Sequence, residues 1–175
     1  MEVLGIIENL NKQEKGKVID HYQLLLTEEN LYLINTSQDY SKLVKYIFSG
    51  VSEIVGLVGG ATGIFGGLLT QLTGDKLGKF LKELSNNQSD KRAQKIIENL
   101  EQNAGQGKGI EKIASQELQA IMVKKGYWVN GRSWIELIAG DKTSRFFVED
   151  RQEIDNLLGV AKQYYKQTRV VRKLV

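Results

Sequence analysis

The 175-residue chain has no cysteine, no proline, one histidine, two methionines and two tryptophans. Without cysteine there is no disulfide, no thiolate nucleophile and no Cys-ligated metal. That usage fits a reducing compartment, so a cytoplasmic location is expected. A single histidine, His21, excludes a metal centre built on several histidines. Without proline, nothing in the sequence forces a helix to kink. Strong charge of either sign is also missing. The net charge of +3 is too mild to argue for nucleic acid, and none is expected. The start, Met1-Glu2-Val3-Leu4-Gly5, lacks a basic region and its apolar run stops at Glu8, so no signal peptide is expected.

What is present supports a folded core. Hydrophobic residues make up 41% and charged residues 26%, the balance of a globular domain. Leu4, Ile6, Ile7 and Leu10 recur near helical spacing and predict a short helix over 2–11, followed by a polar linker, 11–17. The apolar runs on either side of Thr27-Glu28-Glu29-Asn30 predict a hairpin, with strands over 18–26 and 30–35. Residues 35–42 read as a loop. After the glycine-rich run, 75–84 reads as an amphipathic helix. The next segment reads as a polar helix with Ile96, Ile97 and Leu100 inward, and 103–109 as a flexible linker.

Strand signals return at Ile110. A strand is predicted over 118–124, and Asn130-Gly131 suits a tight hairpin turn. A further hairpin turns at Gly140-Asp141, which makes 118–149 an antiparallel meander. Asp150 then caps a helix, with Glu153 in the capping-box position. Ile154, Leu157, Leu158, Ala161 and Tyr165 form its apolar face. The end is basic. The predicted organisation is a discontinuous β domain, 1–40 and 106–175, interrupted by a separable helical insertion, 41–105.

"GLVGGATGIFGGLL", residues 56–69, has two readings. Gly60, Gly63 and Gly66 match the spacing of a dinucleotide-binding turn, which would make the protein an NAD(P)-dependent oxidoreductase. That fold needs a second parallel strand downstream. Residues 80–95 carry no β run, so this is the weakest reading and no cofactor is expected. Gly59, Gly63 and Gly67 instead recur every fourth residue, which lets two helix backbones approach closely. The candidate helix-packing or membrane-contact residues are Gly56, Gly59, Gly60, Gly63, Ile64, Phe65 and Gly67. The segment either enters a bilayer surface or packs within the protein or against a second copy.

The hairpin "YQLLLTEENLYLINTS" resembles the opening of bacterial pleckstrin-homology-like and GRAM-like domains. Residues 110–165, with the Ser115-Gln116-Glu117-Leu118 strand start, the aromatic strand Phe146-Phe147-Val148 and the closing helix, look like the second half. The resemblance implies an α+β fold: a bent antiparallel sheet or partly open barrel closed by a C-terminal helix. It implies a binding module and not an enzyme. Phosphoinositide-binding members usually carry Lys and Arg on the loop between the first two strands. Taken as 27–30, that loop is acidic here, which argues against such a site.

Several residues have ordinary structural explanations. His21 reads as a solvated or core-edge residue, and Asp20, Glu28 and Glu29 as a solvated turn. Trp128 and Trp134 read as hairpin packing. Lys124, Lys125 and Arg132 cluster in sequence, and Arg169, Arg172 and Lys173 follow at the end. These six are the candidate contacts for an anionic surface. The expected function is a non-catalytic binding or scaffolding module, peripheral at the inner face of the cell membrane. Its expected partner is a membrane surface or a protein. A soluble homo-oligomer using the glycine helices is the alternative.

Overall fold

Two short runs govern the architecture. Leu24-Leu25-Leu26 and Leu31-Tyr32-Leu33-Ile34 are continuously apolar rather than alternating. Successive strand side chains point to opposite faces. A continuous apolar run therefore needs cover on both sides of its sheet.

The computed structural model describes residues 3–15, 17–37, 40–49, 91–125, 133–148 and 151–174. The elements are β1 (Val3–Glu14), β2 (Lys17–Thr27), β3 (Asn30–Asn35), α1 (Tyr40–Phe48) and α2 (Lys91–Asn103). Then follow β4 (Ile110–Ala114), β5 (Leu118–Lys125), β6 (Ser133–Ala139), β7 (Lys142–Val148), α3 (Arg151–Tyr164) and β8 (Arg169–Leu174). The fold is α+β. Among the described residues eight strands form one sheet in the order β4-β3-β2-β1-β7-β6-β5-β8. Every pairing is antiparallel except β5 with β8. Among the described residues β4 and β8 do not pair, so the sheet is open.

Both faces of β2 and β3 are covered. On one side Leu24, Leu26, Leu31 and Leu33 join a core that also takes Ile121, Ile135, Leu137 and Phe146. α3 fills this side with Ile154, Leu157, Leu158 and Ala161, and Tyr165 follows directly after the helix. The sequence had assigned these five to one apolar face. On the other side Leu25, Tyr32 and Ile34 meet Leu43, Ile47 and Phe48 of α1, and Ile96, Ile97 and Leu100 of α2. The expected inward face of α2 is therefore the observed one. The predicted hairpin, the antiparallel pairing of the described strands of the expected 118–149 meander, and the Gly140-Asp141 turn are present as well. Gly140 takes φ 55°, at the first central position between paired Ala139 and Lys142.

Four readings need correction. Residues 2–11 were expected as a helix, but Val3–Glu14 is a strand. Its pairing with β2 shifts register between Val3 and Gly5, and again between Ile7 and Leu10. Each shift adds a residue to β1. Leu4, Ile7 and Leu10 therefore reach the α3 side three residues apart, a spacing that imitates a helix. The polar linker expected over 11–17 is the end of β1, a turn, and the start of β2. The loop expected to Lys42 stops earlier, because α1 begins at Tyr40. The flexible linker expected over 103–109 is a defined helix-to-strand turn. Gly105, Gly107 and Gly109 hold φ of 69–74°, a region costly for other residues. The Gly105 N–H donates to Ile110 O (3.0 Å), and the Asn35 N–H donates to Gly109 O (2.7 Å).

Polar contacts fix the outer helices. Buried Asn99 donates through Nδ2 to Ile47 O and Ser49 O, both at 2.8 Å, satisfying carbonyls at the C-terminal end of α1. Glu101 of α2 accepts from the Tyr32 hydroxyl, from Asn30 Nδ2 (3.1 Å) and from Lys112 Nζ (2.6 Å). Burial works against the Glu101 charge, but the bonds from Lys112 and Tyr32 outweigh it and lower its pKa. Burial and the adjacent Glu101 raise the Tyr32 pKa, so the hydroxyl remains a donor.

Two predictions follow from the double cover. Residues 50–90 lie outside the described residues, but the ends of the expected insertion share the α1–α2 cluster. Replacing 50–90 with a flexible linker should leave a folded protein. Replacing all of 41–105 should expose Leu25, Tyr32 and Ile34, at about 1.5–3 kcal/mol per side chain. That loss approaches a typical domain stability. Thermal melts followed by circular dichroism compare the two, and equal melting temperatures would contradict the packing described. Separately, Asn99→Ala should cost about 1–3 kcal/mol, because buried carbonyls lose their donor. Urea denaturation measures it.

Candidate functional site

Among the described residues the β1–β2 hairpin exposes two adjacent large aliphatic side chains. Glu14 pairs with Lys17 at its tip, and Lys15 takes φ 50° in the turn. Just past the turn, Val18 is 45% exposed and Ile19 43%. The pairing shifts register between Lys12 and Gln13, where β2 holds Ile19 as an extra residue. A bulge of this kind re-aims side chains. Lys15 and Lys17 are exposed and Lys12 is half-buried. Glu14 and Asp20 partly offset these charges. The tip thus presents two adjacent aliphatic side chains among three lysines.

This hairpin also corrects an assignment. The loop between the first two strands is the Glu14–Lys17 turn and not 27–30. The objection drawn from the acidic 27–30 turn therefore does not apply to that loop. Sequence reasoning missed the tip because β1 looked helical. The available signal was the "KGK" turn set against the β-formers Val18 and Ile19.

The six basic candidates are divided by strand alternation. Lys124 lies on the sheet face away from α3, where it donates to Glu136 (3.2 Å). Arg145 reaches the same carboxylate at 2.5 Å and sits 5.8 Å from the Trp134 ring centroid. Trp134 meets Phe147 edge-on, with centroids 5.0 Å apart, as a cross-strand pair. Arg169 is exposed at the start of β8. Lys173 occupies the register position opposite Lys124, and Lys125 that opposite Leu174. Arg172 lies elsewhere, paired with Asp155 of α3. Arg132, Trp128 and the Asn130-Gly131 turn lie outside the described residues. So do Asp150, the 75–84 helix, and all the glycine-segment candidates: Gly56, Gly59, Gly60, Gly63, Ile64, Phe65 and Gly67. The Gly60-Gly63-Gly66 pattern of the cofactor reading falls there too.

His21 and Glu153 have structural partners. His21 is exposed, with ring Nδ1 2.5 Å from Asn11 Oδ1 and its backbone N–H donating to Ser37 Oγ. Glu153, expected in a capping box, accepts the β1 amide of Glu8 at 3.2 Å. Among the described residues no group of three His, Asp or Glu side chains could hold a metal ion. No described helix is long and apolar enough to cross a membrane. Clefts lined by described residues open on the surface. One, of about 620 Å³, lies between β4 and the β6–β7 turn and includes Glu111, Gln116, Asp141 and Lys142. Another, of about 390 Å³, lies between β1 and α3.

No protein-family model matches the sequence, and no curated protein matches it either.

Glu136 gives a pH prediction. Burial opposes its charge, but the bonds from Lys124 and Arg145 prevail and lower its pKa. A lowered folded pKa contributes stability above the unfolded value, about 4.3, and that stability is lost as pH falls through the folded value. The melting temperature of Glu136→Gln should therefore fall at neutral pH, by the equivalent of about 1–2 kcal/mol. Its acid-side decline should be shallower than that of the wild type. Melts from pH 7 to pH 3 test this, and parallel curves would refute it.

Proposed function

We propose that the protein is a non-catalytic binding module, peripheral at the anionic inner face of the cell membrane. The observation that carries this reading is the β1–β2 tip. Val18 and Ile19 are exposed together beside Lys12, Lys15 and Lys17. Aliphatic side chains gain by leaving water, and lysines gain near anionic headgroups. A hairpin held by the sheet at its base can enter the headgroup region without unfolding. The open, mostly antiparallel sheet packed on α3 supports the likeness to pleckstrin-homology-like and GRAM-like domains. In this reading Lys124, Arg145 and Arg169 add positive potential on the sheet face away from α3. In the same reading the glycine-rich segment, which follows α1 in sequence, is a second contact.

The test is co-sedimentation with vesicles of phosphatidylcholine alone and with added phosphatidylserine. Binding should require the anionic lipid and weaken with salt. Val18→Ser with Ile19→Ser should remove about 2 kcal/mol, or roughly 30-fold in partition. Lys15→Gln with Lys17→Gln should have a comparable effect at low salt and flatten the salt dependence. Failure of the wild-type protein to bind anionic vesicles, or wild-type affinity in either double variant, would remove the proposal.

A further inference from the structure

We propose that the cleft between β1 and α3 binds a short extended peptide bearing Lys or Arg, which adds as a strand to the open edge of β1. β1 pairs with β2 along its length, but with β7 only through Asn11 and Phe147. Among the described residues, the edge of Val3 to Ile7 away from β2 therefore faces no strand. An open edge presents backbone N–H and C=O groups ready to pair. The other two open edges are charged: β4 carries Glu111 and Lys112, and β8 carries Arg169 and Arg172. The stretch Val3-Leu4-Gly5-Ile6-Ile7 carries no charge.

The cleft along this edge holds about 390 Å³. Leu4, Ile7 and Val160 give it an apolar lining. On the α3 side Gly159 contributes no side chain, and a Cβ built there would meet nothing within 4 Å. A second backbone can therefore approach the helix closely. Three carboxylates line the cleft, Glu8, Glu153 and Asp155, and among the described residues no Lys or Arg does. Arg172 pairs with Asp155 from β8. The charge complement selects a cationic segment, while the strand edge selects an extended one. Backbone pairing supplies affinity in this mode, and alternate side chains supply specificity. The Glu8 amide is already bound to Glu153, so the added strand spans only a few residues.

The probe is the peptide acetyl-Lys-Val-Lys-Val-Lys-Val-amide, titrated into the isotope-labelled full chain and followed by amide NMR shifts. Its Glu-Val counterpart is the control. Saturable shifts at residues 4–8 and around Gly159 are expected with the lysine peptide and not with the glutamate peptide. Gly159→Leu fills the cleft from an exposed helical position, so it should fold normally and weaken binding at least tenfold. Asp155→Lys should also weaken it, and serves if Gly159→Leu alters the fold. Absence of saturable shifts, equal binding of the acidic peptide, or wild-type affinity in a folded Gly159→Leu would overturn the proposal. So would a dimer in sedimentation whose β1 edge the peptide does not enter.

Discussion

The burial of β2 and β3 on both faces is the constraint that organises this protein. Leu24, Leu26, Leu31 and Leu33 need cover on one side, and Leu25, Tyr32 and Ile34 on the other. α3 provides the first and the α1–α2 pair the second. Antiparallel sheets commonly leave one face to water, but this part of the sheet does not. Tyr32 shows how closely its fit is specified. Its ring lies in the outer apolar cluster while its hydroxyl reaches Glu101, which in turn binds Lys112 of β4. One side chain thereby ties β3, α2 and β4 together. Buried polar groups need such partners, because an unmade bond there costs more than a made one gains.

Much of this was legible in the sequence, and the misses have physical causes. Locally regular elements could be read: the β2–β3 hairpin, the β5–β7 meander, α2 and α3. The strands show as runs of β-formers bounded by turn residues, and the two helices as regular helical periodicity. β1 was misread because its two extra residues convert a two-residue period into one of three. β8 was passed over as a basic tail. Its Val170 and Val171 are β-formers, but six residues flanked by charge give little periodicity. Its place beside β5 depends on long-range pairing. The 103–109 turn was read from composition as flexible. Its glycines are there to hold positive φ, which composition does not distinguish from freedom of movement. Of the candidate site, the sequence picked out basic residues by their proximity along the chain. Strand alternation separates Lys124 from Arg172, and only the register reveals that.

The surface chemistry divides along the same lines. Charges that look alike in sequence perform different tasks. Arg172 is engaged with Asp155, and Lys124 and Arg145 hold Glu136. Lys15 and Lys17 flank exposed aliphatic residues at a turn. A membrane or partner would meet these groups in very different electrostatic settings. Residues neutralised by a carboxylate contribute less to an external field than those on a projecting turn.

An open sheet must also avoid joining to copies of itself. β4 is five residues long and places Glu111 and Lys112 on or near its rim. β8 carries Arg169, Arg172 and Lys173 within six residues. Two β8 strands brought side by side would set positive charge against positive charge. Short, charged strands of this kind are poor templates for further pairing. A cationic edge strand of this kind thus works against the stacking of one sheet onto the next.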